Sequence, residues 1–256
     1  MHHDSAINYK AISTTALERY YSAINEKHMR EMHELMYAHH PNTARHQSGT
    51  GLLTSELATN FALSEQESKG VIQAAYYHDF GKLIIDSALL DSIKPFTNDQ
   101  KDKVRMHPET GFREVVKITN DPETAIPILT HHALQPDGYP NLEEITKILE
   151  EYGLSDKIIN SKQAWLKNLI VIAADQGEAW HPSKNSTHPY SPRDYPAEEV
   201  EQKIKLHLSR SRLIEDLHMT EQLKKCLSVI GKIAIKSSTI VLPDSITKHD
   251  IFKNNS

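Results

Sequence analysis

The sequence has one cysteine, no long apolar run and no excess of positive charge. Cys226 is the only cysteine in 256 residues, which excludes an intrachain disulfide and fits a reducing compartment. No apolar run approaches the roughly 18 residues of a membrane span, and the amino terminus lacks the pattern of a signal peptide. The formal net charge of -5 argues against polymeric nucleic acid as a partner, because such partners select basic surfaces. We therefore expect a cytoplasmic protein without a membrane span.

Internal repeats, low-complexity tracts and composition changes that would separate two domains are also missing from the sequence. A chain of this length can bury a substantial core as one unit. We predict a single domain over residues 1–256.

Apolar residues recur at helical spacing along nearly the whole chain. Residues 15–18 have the spacing of a capping box, and the apolar positions from Leu17 to Leu35 predict one long amphipathic helix. A second capping signal over residues 64–67 predicts a helix that delivers His78 and Asp79 at its end, where Gly81 can stop it.

Further helices are predicted toward the carboxyl terminus. Thr97 and Gln100 mark a helix start ahead of His107. Other predicted helices cover residues 123–132 with Pro127 near the start, residues 155–180 with Asp175 near the end, residues 197–218, and a segment through Cys226 and Val229. Residues 181–196 contain four prolines and predict a loop. Only residues 239–242 have a strand-like pattern.

Side chains that can bind metal ions lie at or near the ends of these predicted helices. The string HDFGK at residues 78–82 is the centre of the set, which also includes His46, His107, His131, His132 and Asp175. Neutral imidazole suits Fe, Mn, Zn and similar divalent ions, and a carboxylate can bridge two of them. We interpret Asp79 as the bridging ligand of a two-metal site in a helical bundle.

This series of motifs resembles the HD superfamily of metal-dependent phosphohydrolases, and within it the HD-GYP cyclic-dinucleotide phosphodiesterases. The resemblance covers residues 43–196 and rests on five ordered blocks: Ala44-Arg45-His46, HDFGK, His107-Pro108, His131-His132 followed by Gly138-Tyr139-Pro140, and Ala173-Ala174-Asp175. It implies an all-α fold, the HD-domain helical bundle with a central dinuclear metal site. Residues 1–42 would then form an N-terminal helix and residues 197–256 a C-terminal helical extension.

The resemblance also implies how the ligands are divided. His46, His78 and Asp175 would complete one metal position, and His107, His131 and His132 would hold the other, with two divalent ions, Fe or Mn in preference to others. Two such ions can lower the pKa of a shared water, so that a metal-bridging hydroxide attacks a phosphoester. Lys82 would neutralise charge on a phosphoryl oxygen. Asp79 and Lys82 are thus the predicted catalytic residues.

Several positions depart from the family pattern. Ala133 and Leu134 replace a Glu and a further charged residue after the paired histidines, and the following loop is one residue shorter. The Arg-Pro-Tyr of the family appears as His188-Pro189-Tyr190, so we predict His188 and Arg193 as replacement phosphate contacts. Lys82 and Tyr139 complete the predicted substrate-binding set. Asn42 replaces a Glu of three-metal members, which favours two metals.

The function implied by the resemblance is hydrolysis of a cyclic dinucleotide, such as cyclic di-GMP in bacterial signalling. The altered loop favours an alternative, a general HD phosphohydrolase that acts on another nucleotide or phosphoester. A second alternative, an HD-type di-iron oxygenase, is disfavoured by His132, because such proteins generally lack the second His of the pair. A third alternative, a non-catalytic nucleotide-binding sensor, is disfavoured by the complete ligand set. All but the oxygenase predict a small-molecule phosphoester or cyclic dinucleotide as partner.

Overall fold

In the computed structural model all the regular secondary structure of the described residues is helical, as predicted. These residues are 12–92, 94–135, 137–155, 161–180, 202, 204, 205, 208, 214 and 218–236. The helices are α1 (Thr14–Ile24), α2 (Lys27–His39), α3 (Pro41–Asn60), α4 (Glu65–Tyr77), α5 (Ser87–Leu90), α6 (Asn98–Arg105), α7 (His107–Thr119), α8 (Pro122–Thr130), α9 (Leu142–Glu150), α10 (Lys162–Trp180) and α11 (Thr220–Lys236), with a 3-10 helix at Phe80–Ile84. No helix of this part of the chain is both long and apolar enough to span a bilayer.

The prediction of one long helix from Leu17 to Leu35 is wrong, because the chain turns at Asn25 and Glu26. Glu26 has an extended backbone, with φ -79° and ψ 147°, which ends α1 and starts α2. The first helix is capped by the Ser13 side chain, which accepts a hydrogen bond from the Ala16 backbone, so the predicted capping box at residues 15–18 is also wrong. Both helices bury one apolar face, so apolar residues recur at helical spacing on both sides of the turn. Periodicity alone therefore did not reveal it.

Helices α3 and α10 form the centre of the bundle. Helix α3 packs against α1, α2, α4 and α10, and most of its residues are buried. In α10 the run Ile170–Ala174 is fully buried, which explains its continuous apolar sequence. A helix with apolar neighbours on nearly every side must lie in the core. These two helices carry His46 and Asp175 into the interior.

Helix α4 begins with the predicted capping box, in which Ser64 and Glu67 satisfy each other's backbone N–H groups. It ends at Tyr77, before the predicted stop at Gly81, and His78 and Asp79 lead into the 3-10 helix. Gly81 has a different role, because a Cβ atom there would lie 2.0 Å from the carbonyl oxygen of His107. Only glycine allows the backbone of the 3-10 helix to approach α7 so closely.

The remaining predicted helices that fall on described residues are confirmed. Thr97 and Gln100 form a capping box at the start of α6, α8 contains Pro127, and α11 passes through Cys226 and Val229. Part of the predicted helix 155–180 is α10. The predicted loop 181–196, the strand 239–242 and most of the predicted helix 197–218 lie outside the described residues.

Candidate metal centre

Seven predicted ligands from five parts of the chain converge at one point of the bundle. His46 comes from the second turn of α3, His78 and Asp79 follow α4, His107 begins α7, His131 and His132 follow α8, and Asp175 lies in α10. The possible ligand atoms of His46, His78 and Asp79 lie within 4.8 Å of one another, and so do those of His107, His131 and His132. The structure therefore groups the predicted histidines into the two predicted sets.

Asp79 lies between the two sets. Its Oδ1 atom is 3.2 Å from His107 Nε2 and 3.9 Å from His131 Nε2. Its Oδ2 atom is 3.5 Å from His78 Nε2 and 4.0 Å from His46 Nε2. Each oxygen of this buried carboxylate thus faces a different set of histidines.

Asp175 belongs to the set of His46 and His78. Its Oδ1 atom is 2.9 Å from His46 Nε2 and 3.6 Å from His78 Nε2. Asp175 comes from α10 and Asp79 follows α4, so the two carboxylates approach His78 from different elements.

Backbone carbonyls fix the orientation of three of the histidine rings. In each case Nδ1 donates to the carbonyl oxygen three residues earlier: His78 to Ala75 at 2.7 Å, His107 to Val104 at 2.6 Å, and His131 to Ile128 at 2.7 Å. A neutral imidazole that donates from Nδ1 has its lone pair on Nε2. All three Nε2 atoms therefore point into the site as acceptors, the arrangement that metal-binding histidines generally have.

Burial keeps several of these rings neutral. Desolvation lowers the pKa of His107, and it lowers those of His131 and His132 well below the ordinary value, with neighbouring imidazoles adding to the effect. Neutral imidazole is the form that binds a metal ion.

The two carboxylates stay ionised in spite of their burial. Desolvation raises the pKa of Asp79, but the Lys82 ammonium and His78 outweigh it and hold the pKa well below its usual range. For Asp175, burial is again the largest effect, and it is outweighed by the hydrogen bond from His46 and the electrostatic interaction with His78, so the pKa is lowered. The donor set thus has the charges that a divalent cation requires.

Glu178 is a site residue that the sequence reasoning missed. Its Oε2 atom accepts a hydrogen bond from Nδ1 of His46. Burial lowers the pKa of His46, but the carboxylates of Glu178 and Asp175 outweigh this and raise the pKa to about 10. The signal that could have revealed Glu178 is its position one helical turn after Asp175, which places both carboxylates on one face of α10.

His132 has a different environment from the other rings. Its Nδ1 atom accepts a hydrogen bond from Gln135 Nε2 at 2.6 Å, and its ring stacks on Tyr139 with centroids 4.5 Å apart. To bind a metal through Nε2, the neutral His132 ring must carry its proton on Nδ1. Gln135 can accept a hydrogen bond from that Nδ1–H when its side-chain amide is flipped so that the oxygen faces the ring. Tyr139 follows Gly138, where a Cβ atom would lie 2.4 Å from the carbonyl oxygen of Ala133.

The other predicted site residues have different outcomes. Nζ of Lys82 donates to Asp79 Oδ2 at 2.6 Å, so this lysine is part of the cluster. Leu134, in the altered segment after the paired histidines, is fully buried and belongs to the core. His188 and Arg193 lie outside the described residues.

Comparison with known proteins gives similarity in structure only. No protein-family profile and no curated protein matches the sequence. A solved structure, the HD domain of the L. monocytogenes phosphodiesterase PgpH in complex with cyclic-di-AMP, has a TM-score of 0.57 at 14% sequence identity, over 83% of this chain and 99% of that chain. A second structure of the same HD domain has a TM-score of 0.49 at 15% identity, over 80% of this chain and 96% of that chain. The protein described here therefore has the fold of an HD domain.

Proposed function

We propose that this protein is a metal-dependent phosphodiesterase that hydrolyses a cyclic dinucleotide. The observation that carries the proposal is the position of Asp79, whose two oxygens face two separate sets of histidines. A buried carboxylate shared in this way suits a pair of divalent ions.

The residues present fit such a pair. His46, His78 and Asp175 would hold one ion, His107, His131 and His132 would hold the other, and Asp79 would contact both. Imidazole and carboxylate together suit Fe and Mn. When bound, the ions would lower the pKa of a coordinated water and stabilise charge on the attacking and leaving oxygens of a phosphoester.

The protein groups around the ions would attract and orient the phosphate. Two divalent ions bring more positive charge than Asp79 and Asp175 neutralise, so the site would attract an anion. The Lys82 ammonium is 2.6 Å from Asp79 Oδ2, and its side chain is 17% exposed. It can therefore turn from Asp79 toward a phosphoryl oxygen and stabilise the charge that develops there.

The choice of substrate rests on the structural neighbour and on the sequence resemblance. The PgpH HD domain was solved with cyclic-di-AMP, whereas the Gly138-Tyr139-Pro140 motif resembles enzymes that act on cyclic di-GMP. Both ligands are cyclic dinucleotides, and both present a phosphodiester to the metals. We place the protein in the HD-GYP-like group of these phosphodiesterases.

A hydrolysis panel tests the proposal. Protein loaded with Fe or Mn is incubated with cyclic di-AMP, cyclic di-GMP, a mononucleotide and an aryl phosphodiester, and the products are separated by chromatography. We expect at least one cyclic dinucleotide to be linearised, and the metal-free protein to be inactive. Cleavage of the mononucleotide or aryl ester alone would favour the general phosphohydrolase. Oxygen consumption by the reduced protein, without cleavage of any phosphoester, would favour the oxygenase.

A further inference from the structure

An arginine that was not among the predicted site residues lies beside the cluster. Arg105 is an exposed residue in the last turn of α6, and its guanidinium carbon lies over the Tyr139 ring, 5.5 Å from the centroid. The same ring stacks on His132 at 4.5 Å. These two distances place the guanidinium carbon at most 10 Å from the centre of the His132 ring.

The donors of this arginine are available to a ligand. No carboxylate in the part of the chain that the structure describes forms an ion pair with Arg105, and its contact is with the face of an aromatic ring. By contrast, Arg113 on α7 is paired with Glu109 and Glu151. A cation–π contact holds a guanidinium in place without using its N–H groups. The N–H groups of Arg105 can therefore bind an anion in the bidentate geometry that suits phosphate.

We propose that Arg105, held by Tyr139, binds the phosphate of the cyclic dinucleotide that is not being cleaved. This inference rests on the proposed function, because a cyclic dinucleotide carries two phosphodiesters one nucleoside apart. When one phosphate lies at the histidine cluster, the other lies one nucleoside away, and the Arg105 guanidinium, at most 10 Å from the centre of the His132 ring, is placed to contact it. The Tyr139 ring already contacts the His132 imidazole and the Arg105 guanidinium. We therefore expect this ring to hold Arg105 in place and not to stack on a nucleobase of the substrate.

The proposal predicts a dependence on the number of phosphates in the substrate. Arg105→Gln should raise KM for the cyclic dinucleotide about tenfold or more, the effect of losing a charged hydrogen bond. Its kcat should stay near that of the parent, because the lost contact is the same in the ground state and the transition state. The KM for a dinucleoside monophosphate, which has only one phosphodiester, should not change.

A control variant separates this role from general effects of charge. Lys103→Gln removes a positive charge from the same turn of α6 and should leave every KM near the parent value. Loss of activity toward both substrates in Arg105→Gln, or an equal KM effect in Lys103→Gln, would overturn the proposal.

A binding measurement keeps this inference separate from the proposed function. Affinity for a cleavage-resistant phosphorothioate analogue of the cyclic dinucleotide is measured by calorimetry for the parent and for Arg105→Gln. A loss of about tenfold or more supports the inference even if the parent cleaves nothing, a result that would instead reject the proposed activity. If the parent cleaves cyclic dinucleotides and Arg105→Gln binds the analogue with the same affinity as the parent, the role of Arg105 is rejected and the proposed activity stands.

Discussion

The Nε2 atoms of His107 and His131 lie 3.0 Å apart, although each ring donates from Nδ1 to a backbone carbonyl. Two unprotonated nitrogens that face each other at this distance repel, and both rings are fully buried, so water does not screen the contact. A cation that accepts both lone pairs removes the repulsion. The bundle therefore holds these two residues in an arrangement that a metal ion stabilises.

Metal binding should accordingly stabilise the fold. At a free metal concentration 100 times Kd, the expected gain in the free energy of unfolding is about 2.7 kcal/mol. Thermal unfolding with and without Mn should show this gain in the parent and little of it in His107→Ala. His28→Ala, outside the cluster, should keep the gain. Equal stabilisation of the parent and His107→Ala would contradict metal binding at this pair.

Asp79 and Lys82 should differ in what their loss removes. Asp79→Ala should abolish hydrolysis and most metal retention, since the cations lose the carboxylate that faces both histidine sets. Lys82→Ala should keep the metals and reduce kcat by about 10²–10³, the typical effect of losing one group that stabilises transition-state charge. Metal content by plasma emission, together with kcat, checks this. Equal metal loss in both variants would refute the division of roles.

Glu178 should act through His46. Its carboxylate holds the Nδ1 proton of His46, so that Nε2, now 2.9 Å from Asp175 Oδ1, is the nitrogen that would bind a metal ion. Glu178→Gln should therefore weaken metal affinity by about 10- to 100-fold. A competition titration with a chelating dye measures this affinity. Glu114→Gln replaces a glutamate on α7 whose side chain is 46% exposed; it is the matched control and should behave as the parent. An unchanged metal affinity in Glu178→Gln would show that the contact does not orient His46.

The metal-free protein should lose stability on both sides of neutral pH. The pKa of His46 is raised from 6.5 to about 10. The contribution of its positive charge to the free energy of unfolding is therefore complete below pH 6.5 and is lost as the pH rises through about 10. The lowered pKa values of His107, His131 and His132 act in the opposite sense. The folded state resists their protonation, so stability falls as the pH drops below about 6.5.

Urea unfolding in the presence of a chelator, over pH 5 to 10, measures this profile. His46→Gln should flatten the alkaline side and leave the acidic side unchanged. If the free energy of unfolding has the same pH dependence above neutral pH in the parent and in His46→Gln, the raised pKa of His46 is contradicted.

Gly81 should be required for the approach of the 3-10 helix to α7. A Cβ atom at this position would meet the His107 carbonyl oxygen at 2.0 Å and the Gly111 nitrogen at 2.6 Å, and backbone atoms cannot move aside as a flexible side chain can. Gly81→Ala should therefore cost about 1–3 kcal/mol of stability and displace His107. Gly70→Ala is the control, because its nearest contact is the Thr124 side chain at 3.2 Å. We expect metal affinity to fall only in the first variant, and similar unfolding midpoints for the two would argue against the close approach.

Much of the local structure could be predicted from the sequence because the signals that encode it are local. The capping boxes at Ser64 and Thr97 lie where the spacing of Ser or Thr before Glu or Gln placed them. The turn at Glu26 was missed because the helices on both sides of it are amphipathic, so helical spacing is present before and after the turn. Gly81 was assigned to a helix end because its close contact with the α7 backbone depends on the tertiary structure and has no local signal in the sequence.

The sequence by itself determined the all-α class and the residues that could bind metal, because helical periodicity and ligand chemistry are properties of residue type and spacing. Only the tertiary structure decided that Asp79 faces both histidine sets, that Glu178 contacts His46 and that Arg105 lies over Tyr139. These contacts join residues from distant parts of the chain, and their distances depend on how the bundle packs. How the helices pack depends on all the residues of the core together, and a local sequence pattern does not specify it.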